Sequence, residues 1–254
     1  MKTIIATGFL ALAAGISGLL AQAPPPGQPT VKSKAELEAV QALMTAANAG
    51  NPDGIIKAAD DLNTKFADTA FKEVALYLEA TAYKQKRDNE KAQIYAERVL
   101  DVNPKNYQAG LLVGEILVVG TRENDLDKEE KLAKAEKYFN STIDNLKDAQ
   151  KPNPQLTDQQ WEDGKKYLTA EAHNGLGMVA LTRKKNDVAI TEFKTAADLD
   201  SGEPTYQVRL ASALLSAGKN DEAAAVCDKV LANPQLHPQI KQVAQNIKAQ
   251  ATKK

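Results

Sequence analysis

The sequence is poor in the residues that most often carry chemistry, with one cysteine, Cys227, and two histidines, His173 and His237. A single cysteine excludes an intramolecular disulfide framework and a zinc site built from thiolates, because both need several thiols. The two histidines are far apart in the sequence, and neither has a cluster of titratable residues beside it. Acid–base catalysis and histidine-based metal binding are therefore not expected.

Aromatic residues are also scarce, at 5% of the 254 residues, whereas alanine is abundant and favours helices. The 32 Lys and Arg residues against 33 Asp and Glu leave a net charge of -1. Proteins that bind nucleic acid through its phosphates are usually strongly basic, so no nucleic-acid partner is expected. The sequence has no glycine-rich phosphate loop, no paired catalytic carboxylates and no Gly-x-Ser-x-Gly elbow. We therefore expect a protein that is not an enzyme and holds no cofactor or metal.

The first 23 residues are typical of a secretory signal peptide. Lys2 gives a positive start, the run from Ile4 to Leu20 carries no charge, and Ala21-Gln22-Ala23 has the small-x-small pattern of a cleavage site. The alternative is an uncleaved anchor formed by residues 4–23 in the inner membrane, because the run approaches membrane-spanning length. In both cases the protein is expected to be exported, and a cleaved protein would be periplasmic or secreted.

Beyond residue 32 the sequence repeats with a period of 34 residues. The steps from Ala80 to Gly114 and from Gly177 to Ala211 are both 34 residues long. Two antiparallel helices can approach closely only where small side chains face each other, so the pattern predicts stacked helix pairs. Small residues recur at two positions of each unit, which are Ala80, Gly114, Gly177 and Ala211 for the first helix and Ala92, Ala135, Ala189 and Ala223 for the second.

These positions resemble the tetratricopeptide repeat, a helix–turn–helix unit of 34 residues. Phe139 and Phe193 match the bulky second-helix position of that family, which Ala96 and Cys227 fill with smaller side chains. Leu176-Gly177 matches its Leu-Gly pair, although no unit has its first-helix tryptophan. The resemblance implies an all-α fold, namely a right-handed α-solenoid of stacked helix–turn–helix repeats with a C-terminal capping helix.

The expected organisation follows from the repeat register and from two insertions that interrupt it. A proline-rich linker at 24–32 precedes a solenoid at 33–252. Within the solenoid we expect a degenerate repeat at 33–69, repeats at about 73–106 and at 107–148 with an insertion at 120–130, a second insertion at 149–169, repeats at 170–203 and 204–235, and a capping helix at 238–252.

One acidic segment has the spacing of a calcium loop. Asp125, Asp127, Glu129 and Glu136 fall at its positions 1, 3, 5 and 12, but Glu130 occupies position 6, where an EF-hand needs glycine. We interpret the segment as a solvated insertion in which the Asp127 side chain caps a helix and Glu130 completes the capping box.

Four further residues could be functional but have a simpler structural interpretation. Cys227 occupies a packing position among alanine and valine, where a free cysteine behaves as a small buried hydrophobe. His173 takes a first-helix packing position, so a core or interface residue is expected, and His237 precedes Pro238 at the start of a helix. Trp161, in the second insertion, either braces that insertion or is an exposed contact residue.

The family resemblance also implies a binding surface, because first helices line a concave groove in such proteins. We expect an apolar or amphipathic peptide or a partner helix there. The alternative for the third unit is that residues 111–119, apolar all round, are simply buried. The implied lining residues are Tyr77, Thr81 and Lys84, then Leu111, Glu115 and Val118, then Asn174, Met178 and Leu181, and finally Val208, Ser212 and Leu215.

Three functions are therefore considered. The first is an exported scaffold or adaptor that holds a protein or peptide partner in this groove, in a role such as cell-envelope assembly. The alternative is a structural homo-oligomer built by stacking of repeats. The third is an enzyme or a calcium-binding protein, for which the residues named above give little support. A membrane contact is expected only through the N-terminal segment, if that segment stays uncleaved.

Overall fold

A computed structural model describes residues 29–153 and 155–253. Over these residues the chain forms eleven α-helices and no β-strand, which confirms the all-α expectation. The predicted signal peptide or anchor at 1–23 and residues 24–28 of the predicted linker lie outside the described residues. The chain divides into two compact units. Unit 1 comprises the described residues up to Val113 together with Ala149–Asp158, and unit 2 comprises Gly114–Asp148 and the described residues from Gln159 onward.

Unit 1 begins with two antiparallel helix pairs, and three of these four helices have a first turn capped by a short polar side chain. The side-chain oxygens of Ser33, Asn51 and Asp88 each accept a backbone N–H of the following first turn, at 3.1 Å. These contacts satisfy donors that a helix start leaves unpaired. The helices are α1 (Lys34–Asn48), α2 (Pro52–Lys65), α3 (Lys72–Gln85), α4 (Asn89–Val102) and the first half of α5 (Tyr107–Gly120).

The core of the first helix pair contains Val40, Leu43, Leu62 and Phe71, all fully buried. Val31 packs against this core, and the ammonium group of Lys32 donates to the carbonyl oxygen of Asp68 at 2.9 Å. Residues 31 and 32, at the end of the predicted linker, therefore already contact the first helix pair and the loop that follows it.

Unit 2 contains the second half of α5 and the remaining helices, among which α7 is unusually long at 25 residues. Residues 158–169 of the predicted insertion form the start of α7, and only 149–157 precede it. Trp161, Gly164 and Leu168 are buried on one face of this extension, so Trp161 braces it. The helices are α6 (Lys128–Lys147), α7 (Asp158–Thr182), α8 (Asn186–Leu199), α9 (Pro204–Ser216), α10 (Asn220–Leu231) and α11 (Pro238–Ala251).

The small residues of the repeat face large aromatic side chains in unit 2. A Cβ atom added at Gly114 would lie 2.7 Å from the Phe139 ring, and one added at Gly175 would overlap that ring. A Cβ atom added at Gly177 would lie 2.6 Å from the Phe193 ring. Each phenylalanine therefore fills space that glycine leaves open on a first helix, as the repeat register predicts.

Four of the helix pairs are joined by a turn with one left-handed residue, whereas the longer loop between α5 and α6, residues 121–127, has none. Arg87, Lys184 and Gly218 have φ of 63°, 60° and 75°, and each follows the small first-helix residue by seven positions. Gly50 has the same conformation at the turn between α1 and α2. At each turn, hydrogen bonds of the Schellman type close the first helix, for example from the Lys219 N–H to the Leu214 carbonyl at 2.9 Å.

Helix α11, Pro238–Ala251, lies where a capping helix at 238–252 was expected. Ala244, Ile247 and Ala251 are buried, and the first two belong to the same core cluster as Val208 and Cys227. Most of its other side chains are exposed and polar. Among the described helices, none combines the length and the apolar character needed to cross a bilayer.

Candidate binding surface

Two hydrogen bonds fix the first helices of successive repeats in unit 2. The Tyr206 hydroxyl on α9 donates to Glu171 Oε1 on α7 at 2.8 Å, and the Arg209 guanidinium donates to Asn174 Oδ1 at 2.5 Å. Both pairs are separated by 35 residues in the sequence. Because the offset is constant, α7 and α9 run side by side in the same direction.

The polar end of this helix pair is partly desolvated. Burial raises the pKa of Tyr206 and of Tyr167 far above the usual range, and the Glu171 carboxylate raises both further. Burial lowers the pKa of the Arg209 guanidinium, while the carboxylates of Glu171 and Glu115 favour its charged form. Both phenols therefore stay protonated at neutral pH, and Tyr206 acts as a fixed hydrogen-bond donor.

The other end of the same helices is apolar. Met178 and Leu181 on α7 are half-buried and pack against the cluster that contains Ala189 and Phe193. Leu215 on α9 is half-buried against the cluster beneath α11, and Ser212 is half-buried one turn earlier. We call the partly exposed residues Glu171, Met178, Leu181, Arg209, Ser212 and Leu215 the α7–α9 surface.

Other implied lining residues of unit 2 are less available for contact. Asn174 and Val208 are 7% and 8% exposed, because Arg209 covers the first and the α11 cluster encloses the second. Val118 is buried, whereas Glu115 is exposed. The described residues of α5 are mostly buried. This agrees with the alternative that residues 111–119 are buried and do not line a groove.

The implied lining residues of unit 1 are all half-buried. Tyr77, Thr81 and Lys84 follow one face of α3, and Leu111 lies on α5. The Thr81 hydroxyl donates to the Leu78 carbonyl at 2.8 Å. Burial, with a smaller effect of Tyr107, raises the pKa of Tyr77 to about 12.

The acidic residues of the loop before α6 and of the first turns of α6 take part in an ion-pair network. Lys131 pairs with Asp125 at 3.2 Å and with Asp127 at 2.8 Å, and Arg183 pairs with Glu129 at 2.5 Å and with Glu136 at 2.6 Å. Asp127 is at the N-cap position of α6, but its side chain does not cap the helix. The capping prediction is wrong here, because Lys131 attracts the Asp127 carboxylate.

A cavity of about 460 Å³ lies beside this network and is lined by charged side chains. Glu123 pairs there with both Lys128 and Lys184, at 2.7 and 2.8 Å. These pairs hold the pKa of Glu123 low, at about 2, through hydrogen bonds from the two ammonium groups. The pairs connect the loop to the turn after α7, which is a structural role. The lining residues are Glu123, Lys128, Glu129, Thr182, Arg183, Lys184 and Lys185.

The remaining candidates take structural roles. Cys227 is fully buried, and burial raises the pKa of its thiol. His173 Nδ1 lies 2.7 Å from Glu192 Oε2 and joins α7 to α8. His237 is the N-cap of α11, where its Nδ1 accepts the Gln239 N–H at 3.4 Å. The described residues contain no group of three or more His, Cys, Asp or Glu side chains placed to hold a metal ion.

Sequence reasoning missed Glu171, Tyr206 and Arg209, which set the polar end of the surface. Arg209 lies between Val208 and Leu210 on a helix rich in alanine and leucine. A charged residue in such a helix needs a partner on a neighbouring helix. The arginine among apolar residues was therefore the feature of the sequence that could have indicated this contact.

Helix pairs with small residues at their contacts and a left-handed turn at one fixed place define a helical repeat protein. Tetratricopeptide repeat family models match residues 74–106, and also 155–204 and 175–238. The matched parts of the chain are therefore tetratricopeptide repeats. Repeats of this family suggest a scaffold for protein–protein interaction.

Solved structures share the fold at low sequence identity. A thermophilic tetratricopeptide-repeat protein of Thermus thermophilus is 20% identical, with 84% of this chain and 98% of that chain covered and a TM-score of 0.52. MamA from Desulfovibrio magneticus RS-1, residues 41 to the end, is 15% identical, with 79% and 96% covered and a TM-score of 0.58. A MamA RS-1 double mutant is 14% identical, with 85% and 99% covered and a TM-score of 0.59. A comparison with curated protein sequences gives no match.

Proposed function

We propose that this protein is an exported scaffold that holds a protein partner, without catalysis, and that the α7–α9 surface is its main contact. The observation that carries the proposal is the division of this surface into two ends. One end has Glu171 and Arg209 held at fixed positions, and the other has Met178, Leu181 and Leu215 partly exposed. Such a division matches an amphipathic partner helix, whose polar and apolar residues need different neighbours.

Export rests on the sequence of residues 1–23 and is a separate part of the proposal. Expression of the full chain in a Gram-negative host, followed by fractionation and intact mass measurement, tests it. A periplasmic product that has lost 21 or 23 residues supports a signal peptide. A full-length product in the inner membrane supports the anchor, and a full-length cytoplasmic product contradicts export.

The contact surface is tested by photo-crosslinking in the full chain. A photoreactive phenylalanine analogue at Ser212 is expected to crosslink a partner from an envelope extract, because Ser212 is half-buried at the centre of the surface. The same analogue at Asn246, exposed on α11, is the matched control. Equal crosslinking at both positions would argue against the α7–α9 surface.

A pair of charge substitutions gives the complementary test. The double variant Met178→Asp with Leu181→Asp places two charges at the apolar end. It is expected to abolish affinity capture of the partner from an envelope extract. Val188→Asp, at an exposed residue of α8, adds a charge elsewhere. Circular dichroism checks that each variant is folded. Unchanged capture by the folded double variant would remove this surface from the proposal.

The alternative, a homo-oligomer built by end-to-end stacking, is less favoured by the terminal helix. The exposed residues of α11 include Lys241, Gln242, Gln245 and Gln250, whereas a stacking end should be largely apolar. Light scattering at increasing protein concentration separates the two functions. A constant monomer mass supports the scaffold, and a rising mass supports stacking.

A further inference from the structure

Glu79 is a buried acid at a position that other repeats fill with apolar residues. It lies one residue before Ala80 on α3, and the equivalent residues are Val113, Leu176 and Leu210. Its relative exposure is 0%, and neither of its carboxylate oxygens makes a hydrogen bond of ordinary geometry, although the Tyr95 hydroxyl and the Asp60 carboxylate are close enough to affect it. A buried polar group without a partner is rare in folded proteins and calls for a physical explanation.

The neighbours of Glu79 come from three helices of unit 1. Asp60 on α2 is the nearby carboxylate, Tyr83 is one turn away on α3, and Tyr95 and Arg98 face it from α4. The rings of Tyr83 and Tyr95 are stacked, with centroids 5.2 Å apart. The site is therefore at the junction of α2, α3 and α4.

The cations near this junction are directed to the rings and not to the carboxylate. The Lys91 ammonium lies 5.1 Å from the centroid of the Tyr83 ring, and the Arg98 guanidinium lies 4.9 Å from that of Tyr95. An ionised Glu79 would thus be desolvated, would lack an ion-pair partner and would face the charge of Asp60. All three conditions disfavour a carboxylate relative to a carboxylic acid.

We propose that the protonation state of the Glu79 carboxyl controls how firmly α2 and α4 pack on α3 in unit 1. In its neutral form it can donate a hydrogen bond toward the Asp60 carboxylate and join α3 to α2. When it loses this proton, the buried Glu79 carboxylate carries a charge next to that of the exposed Asp60, and the packing of α2 and α4 on α3 loosens.

The expected pH range follows from the same surroundings. Burial raises the pKa of Glu79 from its ordinary value of 4.5 to about 7, and Asp60 also raises it, whereas Tyr95 and Arg98 lower it. The folded protein thus holds this proton more tightly than the unfolded chain does. The resulting stability is fully present below about pH 4.5 and is lost as the pH rises through about 7.

Hydrogen exchange of the full chain, followed by mass spectrometry, tests this effect of Glu79 protonation on packing. After correction for intrinsic exchange, exchange in α2–α4 should rise by up to about tenfold per pH unit between about pH 5 and 7 and then level off. The peptides of α9–α11 should show no such step. Glu79→Gln keeps the shape without the charge and should abolish the step. Glu90→Gln, at an exposed residue of α4, should leave the step unchanged.

A second variant keeps the test informative if Glu79→Gln fails to fold. Asp60→Asn removes the facing charge at an exposed residue and should lower the midpoint of the step by about half a pH unit or more. An unchanged midpoint in Asp60→Asn overturns the proposal. A flat wild-type profile, or identical profiles for wild type and Glu79→Gln, overturns it as well.

Discussion

At the scale of single residues, the contact between Phe139 and two glycines determines how closely the helices of unit 2 approach. The ring of Phe139 faces Gly114 on α5 and Gly175 on α7, and neither position has room for a Cβ atom beside it. Close-packed cores have little free volume, so one added methyl group must move the ring or the helix. Glycine is required at these positions because of side-chain volume, since neither residue has a positive φ.

Replacing Gly175 by alanine tests this contact. We expect the free energy of unfolding to fall by about 1–3 kcal/mol, the usual cost of overpacking a core. Gly164→Ala, in the same helix, meets only the Trp161 ring at 3.6 Å and should stabilise the protein by about 0.5–1 kcal/mol through better helix propensity. Urea unfolding followed by circular dichroism measures both changes.

A double variant separates the contact from a general effect on the helix. Phe139→Leu should lower stability alone, but it should recover part of the stability lost in Gly175→Ala because it shortens the side chain that clashes. Additive losses in the double variant would show that Phe139 is not the obstacle.

At the scale of structural elements, the four short turns within helix pairs share a left-handed residue but differ in residue type. Glycine occupies the left-handed position at residues 50 and 218, whereas Arg87 and Lys184 adopt the same conformation with a side chain. This φ is strained for an L-residue with a side chain and is not strained for glycine. The turns at Arg87 and Lys184 are therefore less favourable than they could be.

Arg87→Gly should raise the free energy of unfolding by about 0.5–1 kcal/mol, because the lost strain exceeds the added freedom of the unfolded chain. The reverse change at the equivalent turn, Gly218→Ala, should lower it by about 1–2 kcal/mol. Thermal unfolding of the two variants measures these opposite shifts. A loss of stability in Arg87→Gly would contradict the assignment of strain to this residue.

Helix α11 protects the only thiol of the chain. Ile247 and Ala244 belong to the cluster that encloses Cys227. Ile247→Ala should cost about 2–4 kcal/mol and should increase the rate at which a thiol reagent labels Cys227 about tenfold or more. Gln245→Ala, at an exposed residue of the same helix, should leave the labelling rate unchanged. A slow, unaltered rate in Ile247→Ala would show that α11 does not control access to the thiol.

At the scale of the whole molecule, the balance of 32 cationic and 33 anionic residues limits the range of partners. Most charged groups of the ion-pair network before α6 already have partners in the chain. We expect no binding of labelled duplex DNA in fluorescence anisotropy at about 50 mM salt, where phosphate contacts are strong. Micromolar affinity that falls steeply with added salt would contradict this.

Much of the fold could be predicted from the sequence, because small residues at a 34-residue period have one physical purpose. Ala80, Ala92, Ala189 and Ala223 are all fully buried, as close helix contacts require. The start of α7 could not be predicted from the 34-residue period, because residues 158–169 lie in an insertion outside the repeats. The apolar residues there follow only the spacing of a single helix. The side chain of Asp127 was misjudged because a nearby lysine competes with the helix N-terminus for its carboxylate.

The candidate surface could be predicted less well, since a repeat position gives the direction of a side chain but not its coverage. Val208 was expected to line the groove, yet it is buried in the cluster under α11. Arg209 was overlooked because its partner, Asn174, is 35 residues away in the sequence. Such pairs depend on contacts between repeats, which the pattern within one repeat does not contain.

The recurrence of one turn geometry also has a genetic consequence. Lys184 and Gly218 occupy the same point of the repeat with φ of 60° and 75°, and each is followed by a lysine at the N-cap position of the next helix. An in-frame duplication of the DNA that encodes residues 185–218 would join Gly218 to a second Lys185. That junction repeats a Gly-Lys step already present in the chain, so the gene can gain one unit here without a new backbone strain.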